Sequence, residues 1–200
     1  MHVAIITGPT IVGALNRINL ANKKNYGVEL RLDLFHKISV EDIKILMKAC
    51  NGNVILTCSD KINENFLFKL LELNPTYIDF NYYIDHSILK RIYTEYSNCK
   101  IISSYYNFEI TPNNLDHILQ KIQNPFAHVY KIYTTANSIS DSYRMLLFIQ
   151  KCNKNNIKIV GLCMGENGQI TREDGLKSGN YLNYTILNQY EHCTSNPIFV

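Results

Sequence analysis

Several groups of residues combine types and spacings suited to chemistry. The first lies in Ala127-His128-Val129-Tyr130-Lys131-Ile132-Tyr133-Thr134, where Lys131 stands in an otherwise uncharged aromatic and apolar run. A lysine in such a run commonly lays its stem along the strand and keeps its ammonium in water. Desolvated instead, it would have a lowered pKa and could attack a carbonyl as the neutral amine, forming a Schiff base. The second group is Gly27-Val28-Glu29-Leu30-Arg31-Leu32-Asp33-Leu34. Strand period two sets Val28, Leu30, Leu32 and Leu34 on one face and Glu29, Arg31 and Asp33 on the other. In an open sheet that charged face is solvated. Inside a closed barrel it points into the lumen, where charges of both signs need mutual pairing or a ligand. A third group follows a strand as Met164-Gly165-Glu166-Asn167-Gly168-Gln169-Ile170-Thr171-Arg172. Its glycines make a tight loop that could bring backbone amides near an anion, and the Arg172 guanidinium could clamp a carboxylate. A fourth, Ser103-Ser104-Tyr105-Tyr106-Asn107-Phe108-Glu109-Ile110-Thr111-Pro112, is a polar loop at a strand end. Gly8-Pro9-Thr10 lacks the Gly-Lys of a phosphate loop, so no nucleotide site is read there.

These residues are positioned by an alternating pattern. Strand-like runs occupy 2–7, 28–33, 53–58, 76–80, 99–104, 128–132, 158–162 and 181–186. Helix-like stretches lie at 39–50, 65–73, 85–96, 111–123 and 138–153. Ser39 and Ser138 are suitable N-caps, and Thr111-Pro112 reads as a cap followed by proline at the first helical position. Repeated strand–helix alternation predicts parallel α/β architecture, best met by a compact (β/α)₈ TIM barrel. An open doubly wound sheet is the runner-up. After the last strand few residues remain, so the closing helix is expected to be short or missing. Residues 1–200 read as a single barrel domain.

Composition excludes other classes. The chain has 200 residues, 46% hydrophobic and 18% charged, which is unlike a disordered or collagen-like protein. No apolar run approaches the ~20 residues that span a bilayer, so no membrane partner is expected. A net charge of +3 with dispersed Lys and Arg does not favour nucleic acid as a partner. The cysteines at 50, 58, 99, 152, 163 and 193 form no C-x-x-C pair and no zinc-ligand spacing with histidine. No metal site is expected. The N-terminus has no cationic region or cleavage site of a signal peptide, which makes the cytoplasm the expected compartment and reduced thiols its consequence.

In order along the chain, Val28-Glu29-Leu30-Arg31-Leu32-Asp33, Val54-Ile55-Leu56-Thr57, the 102–112 segment, Lys131 with Ala136, Ser138 and Asp141, and the 164–172 segment resemble the type I 3-dehydroquinate dehydratases, Schiff-base lyases of the shikimate pathway and so of aromatic amino-acid biosynthesis. The resemblance covers nearly the whole chain. It implies a (β/α)₈ barrel that removes water from 3-dehydroquinate to give 3-dehydroshikimate. Lys131 matches the family's imine-forming lysine, whose imine acts as an electron sink. Glu29 and Arg31 match substrate-contacting positions, Arg172 the arginine that holds the substrate carboxylate, and Met164 an apolar pocket position. The small-molecule substrate would be the partner, with no dissociable cofactor. Relatives are often dimeric, so a homodimer is the assembly the resemblance implies.

The sequence also departs from the family. Tyr106 stands where the family has its acid/base histidine, and an ordinary tyrosine titrates near ~10. Ser59 replaces an arginine at the end of the third strand, and Asn81 an acid on the fourth. Asn196, in Thr194-Ser195-Asn196-Pro197, is the nearest match to a glutamine-bearing segment. These departures leave open a dehydratase with an altered acid/base, in which Tyr106 or a water held by Glu29 carries the proton. They equally allow a catalytically impaired or repurposed barrel that binds a carboxylate metabolite or a partner, or a Schiff-base enzyme of another type, such as an aldolase.

Overall fold

The computed structural model describes residues 1–185 except 9, 36 and 60, together with 187. Eight parallel strands alternate with helices in a nearly closed barrel. The strands are β1 (His2–Ile6), β2 (Gly27–Arg31), β3 (Val54–Thr57), β4 (Tyr77–Asn81), β5 (Lys100–Asn107), β6 (Val129–Thr135), β7 (Ile159–Met164) and β8 (Asn183–Thr185). The helices are α1 (Ile11–Lys23), α2 (Val40–Lys48), α3 (Glu64–Leu71), α4 (His86–Glu95), α5 (Leu115–Ile122), α6 (Ile139–Lys154) and α7 (Gln169–Glu173). The hydrogen-bonded order runs β7-β6-β5-β4-β3-β2-β1-β8. The residues after β8, where the closing helix is expected to be short or missing, lie outside those described apart from 187.

The helices begin where short polar side chains can satisfy orphan N–H groups. Thr10, Asn63, Asp85 and Asn114 each accept from a first-turn amide. Ser39 with Asp42, and Ser138 with Asp141, form reciprocal capping boxes. Helix α1 carries no stripe of large residues. Ala14, Ile18 and Ala21 form its buried face, and that small-residue pattern escaped the sequence reading. Helix α5 starts at Leu115 under an Asn114 cap rather than at Thr111-Pro112. Thr111 is instead buried, and its hydroxyl donates to the Thr135 carbonyl at 2.9 Å and lies 2.8 Å from Thr134 Oγ1.

Two apolar layers lie between the strands and the helices, one under β1–β4 and one under β5–β7. The lumen has its own packing. Val3, Ile55, Tyr77, Ile102, Val129, Val160, Leu182 and Tyr184 form one buried apolar cluster inside it, and Tyr133, Leu162 and Met164 form another with Tyr106 at its edge. A polar belt lies among these inward-facing residues. The register sets its level, because Thr57 pairs with Asp79 and Ser104 with Lys131 across their ladders.

Between β7 and β8 a side chain does the work of a strand. Asn180 Oδ1 accepts from Gly161 N at 2.8 Å, and its Nδ2 donates to Gly161 O at 2.9 Å. Tyr181 N donates to Ile159 O at 2.9 Å beside it. The amide thus satisfies both backbone groups that a neighbouring strand would have taken.

Candidate active site

Strand β2 is buried along its whole length. Val28 and Leu30 pack under the helices, which leaves Glu29 and Arg31 to face the lumen. The alternation stops at Arg31, because Leu32–Leu34 turns into a single helical turn. That turn swings Asp33 back onto Arg31. The guanidinium donates to both Asp33 oxygens, from Nε at 2.8 Å and from Nη2 at 2.6 Å. Burial opposes the Arg31 charge, but Asp33 and Glu29 outweigh it and keep it a cation.

Lys131 crosses the lumen from β6 and is 3% exposed. Its Nζ donates to Glu29 Oε1 at 2.9 Å and to Asp79 Oδ2 at 2.8 Å. Thr57 donates to the same Glu29 oxygen at 2.8 Å. Ser104 donates to Asp79 Oδ1 in a short hydrogen bond. The aromatic rings of Tyr184 and Tyr106 flank the ammonium, with centroids 4.5 and 5.7 Å from Nζ. Carboxylates and ring faces on several sides are favourable surroundings for a cation.

The electrostatics follow from this packing and correct one expectation. Burial alone would lower the Lys131 pKa. Asp79 and Glu29 reverse that and hold it well above the ordinary value, so the resting side chain is an ammonium rather than a neutral amine. Burial also works against the Glu29 charge, but Lys131 and Arg31 hold that carboxyl below its usual range. Asp79 behaves oppositely. Burial pushes its carboxyl up, and the pull of Lys131 does not fully offset burial and the neighbouring Glu29 charge. Tyr106 stays a neutral phenol, because burial and then Asp79 push it above its ordinary value despite Lys131.

A cavity of about 260 Å³ opens beside this belt, with Arg31, Asp33, Thr57, Ser59, Asp79 and Tyr106 among its walls. Asn81 also lines it, and Tyr83 and Phe108, both exposed, belong to its wall. Met164 is buried against Tyr133, Leu162 and Tyr106. Arg172 stands on α7, which follows the turn after β7. Gly165 makes that turn at φ +82°, and Gly168 lies so close to the Cys163 carbonyl that a Cβ would approach it to 2.3 Å. These glycines serve the turn and its close packing. Arg172 Nη2 donates to Tyr133 Oη at 3.0 Å. Asn107, the last residue of β5, accepts from Glu109 N and Ile110 N at 3.0 Å each, so it shapes the turn that follows. Asn196 lies outside the described residues.

The structure thus gathers Glu29, Arg31, Tyr106 and Lys131 at one belt, with Ser59 and Met164 nearby and Arg172 behind Tyr133. The sequence reading named Thr57 and Ser104 only within longer segments and gave no role to Asp79 or Tyr184. Strand parity could have found Asp79, since it shares a face with Tyr77 and Asn81 on β4.

Comparison with known proteins bears on the family and the fold. A family model described as Type I 3-dehydroquinase matches residues 2–197. The chain is 28% identical over 204 residues to a chloroplastic bifunctional 3-dehydroquinate dehydratase/shikimate dehydrogenase of Arabidopsis thaliana. That alignment takes 92% of this chain but spans only about a third (33%) of the bifunctional protein. It is 26% identical over 198 residues to the 3-dehydroquinate dehydratase of Coxiella burnetii, covering 92% of this chain and 82% of that one. The crystal structure of 3-dehydroquinate dehydratase from Geobacillus kaustophilus superposes with a TM-score of 0.81 at 19% identity, covering 94% of this chain and 82% of that one, which speaks for the fold.

Proposed function

The chain belongs to the type I 3-dehydroquinase family, and from that membership we propose that it is a hydro-lyase converting 3-dehydroquinate to 3-dehydroshikimate through an imine on Lys131. One observation carries the mechanism: a lysine buried inside the barrel, bonded to two carboxylates and next to a cavity of about 260 Å³. The substrate ketone would enter that cavity. Nζ, once relieved of a proton, bonds to the ketone carbon, and the ketone oxygen leaves as water. The resulting iminium withdraws electrons from the adjacent carbon, so its C–H is acidic enough to lose a proton. The electron pair left behind forms the C=C bond as the hydroxyl at the next carbon takes up a proton and leaves as water, and hydrolysis of the imine by another water frees the product and Lys131.

Arg31 and Arg172 supply the cations for the substrate carboxylate, and both are oriented before it arrives, by Asp33 and by Tyr133 respectively. Tyr106 contributes a phenolic donor and not a base. Ser59 gives the cavity mouth a neutral side chain. The buried thiols of Cys58, Cys99, Cys152 and Cys163 suit a reducing compartment such as the cytoplasm. No helix among the described residues is long and apolar enough to cross a membrane.

The test is chemical. The protein is incubated with 3-dehydroquinate and borohydride, weighed, and digested. A reduced adduct mapped to Lys131, together with appearance of the enone product, is the expected result. If the ligand binds without an adduct and without turnover, the chain is a carboxylate-binding barrel and the mechanism is wrong.

A further inference from the structure

We infer that Asp79 is the proton carrier for the Lys131 chemistry of this chain, taking a proton from Nζ and returning it to the oxygen that departs as water. The inference rests on the reading of Lys131 as the imine-forming residue and assigns the role that Tyr106 is unfit to play.

The geometry separates Asp79 from its competitors. Its Oδ2 lies 2.8 Å from Nζ, and its Oδ1 is occupied by the Ser104 hydroxyl, so one oxygen is anchored while the other addresses the amine. Glu29 is equally close at 2.9 Å, but the oxygen it offers also accepts from Thr57, and Arg31 adds a second cation. Those donors stabilise the Glu29 carboxylate and make it a poor resting place for a proton. Asp79 forms part of the cavity wall, which Glu29 does not. Tyr106 has no bond to Nζ; its ring centroid stands 5.7 Å away.

The protons balance. The ammonium begins with three hydrogens on Nζ. One passes to Asp79 Oδ2, and the freed lone pair forms the N–C bond as the carbonyl pair moves to oxygen. That oxygen collects the proton held by Asp79 and a second one from nitrogen, then leaves as water. The third hydrogen stays on the iminium, and Asp79 is again a carboxylate. The direction of the Asp79 shift fits this use, since a carboxyl raised by burial holds a proton more readily than Glu29. The groups facing the pair are Glu29 from β2, Cys58 after β3, Tyr106 from β5 and Tyr184 from β8.

The rate of borohydride trapping with saturating 3-dehydroquinate, followed against pH, tests this on the intact chain. In the wild type the rate should rise with pH as Asp79 becomes a carboxylate. Asp79→Asn should lose that limb and trap roughly 10²–10⁴-fold more slowly, whereas Tyr106→Phe should cost less. Ser104→Ala removes the hydroxyl that stabilises the carboxylate, so it should move the limb to higher pH. This second variant decides the matter if Asp79→Asn does not fold. The inference is overturned if Asp79→Asn traps within about tenfold of wild type, if Tyr106→Phe costs more than Asp79→Asn, or if the Ser104→Ala limb does not move. A wild type that forms no adduct on Lys131 would instead refute the parent reading, and this one with it.

Discussion

Replacing Lys131 with methionine isolates the energetics of the polar belt. Methionine keeps a stem of similar length, so little cavity is created. What changes is charge: Glu29 and Asp79, 1% and 0% exposed, lose the ammonium between them. Removing one partner of a buried ion pair costs about 3–5 kcal/mol, because the remaining charge is left uncompensated. For a domain of this size that corresponds to a fall in melting temperature of roughly 6–20 °C. The pH dependence carries the more specific signature. In the wild type, Glu29 has a lowered pKa, so its contribution is present above its unfolded value and lost as pH falls through the folded one. Lys131 has a raised pKa, so its contribution is present below 10.5 and lost as pH rises through the folded value. Asp79, also raised, already favours the folded state most in acid. Without Lys131 both carboxyls lose their cation and their pKa values climb. Protonation then relieves the variant in mild acid, so its deficit relative to wild type should be largest near pH ~8 and shrink toward pH ~5. Thermal and urea unfolding at both pH values measure it, and Asp79→Asn added to Lys131→Met should recover part of the loss. A variant as stable as wild type at both pH values would refute the argument that Lys131 is an ammonium compensating the Glu29 and Asp79 carboxylates.

Other outcomes follow from the same geometry. Asn180→Ala leaves Gly161 N and O unpaired in the interior at the β7–β8 junction, at about 1–3 kcal/mol for each group, and should lower the urea midpoint without changing the strand content seen by circular dichroism. Tyr106→His introduces a group titrating near ~6.5 at the cavity wall; it should raise turnover by roughly 10²-fold or more and add a limb to the pH–rate profile in that range. If turnover does not rise, position 106 is not what limits the reaction.

The alternation of strands and helices was legible because buried parallel strands and capped helices leave strong local patterns. The charged face of β2 was legible for the same reason: period two assigned Glu29 and Arg31 to the lumen. Helix α1 was not, because its buried face is built on Ala14 and Ala21, which carry little hydrophobic signal. The protonation state of Lys131 was not legible. The sequence places it in an apolar run, but two carboxylates from distant strands reach it across the lumen, and the stagger between those strands is invisible in one chain segment. Asp79 was not legible as a site residue, because the family resemblance points to Asn81, two residues further along the same strand face. Thr111 has a hydrogen-bonding role in the interior that local capping rules cannot reveal.

An ammonium held between Glu29 and Asp79 has consequences for selectivity. Protonated nitrogen has no lone pair to share, so a stray aldehyde or ketone drifting into the barrel meets an unreactive group. Only a guest that stays long enough, anchored by the guanidinium groups of Arg31 and Arg172, would be present when the proton is moved aside. Under the imine chemistry proposed above, the same clamp shields Lys131 from promiscuous carbonyl adducts.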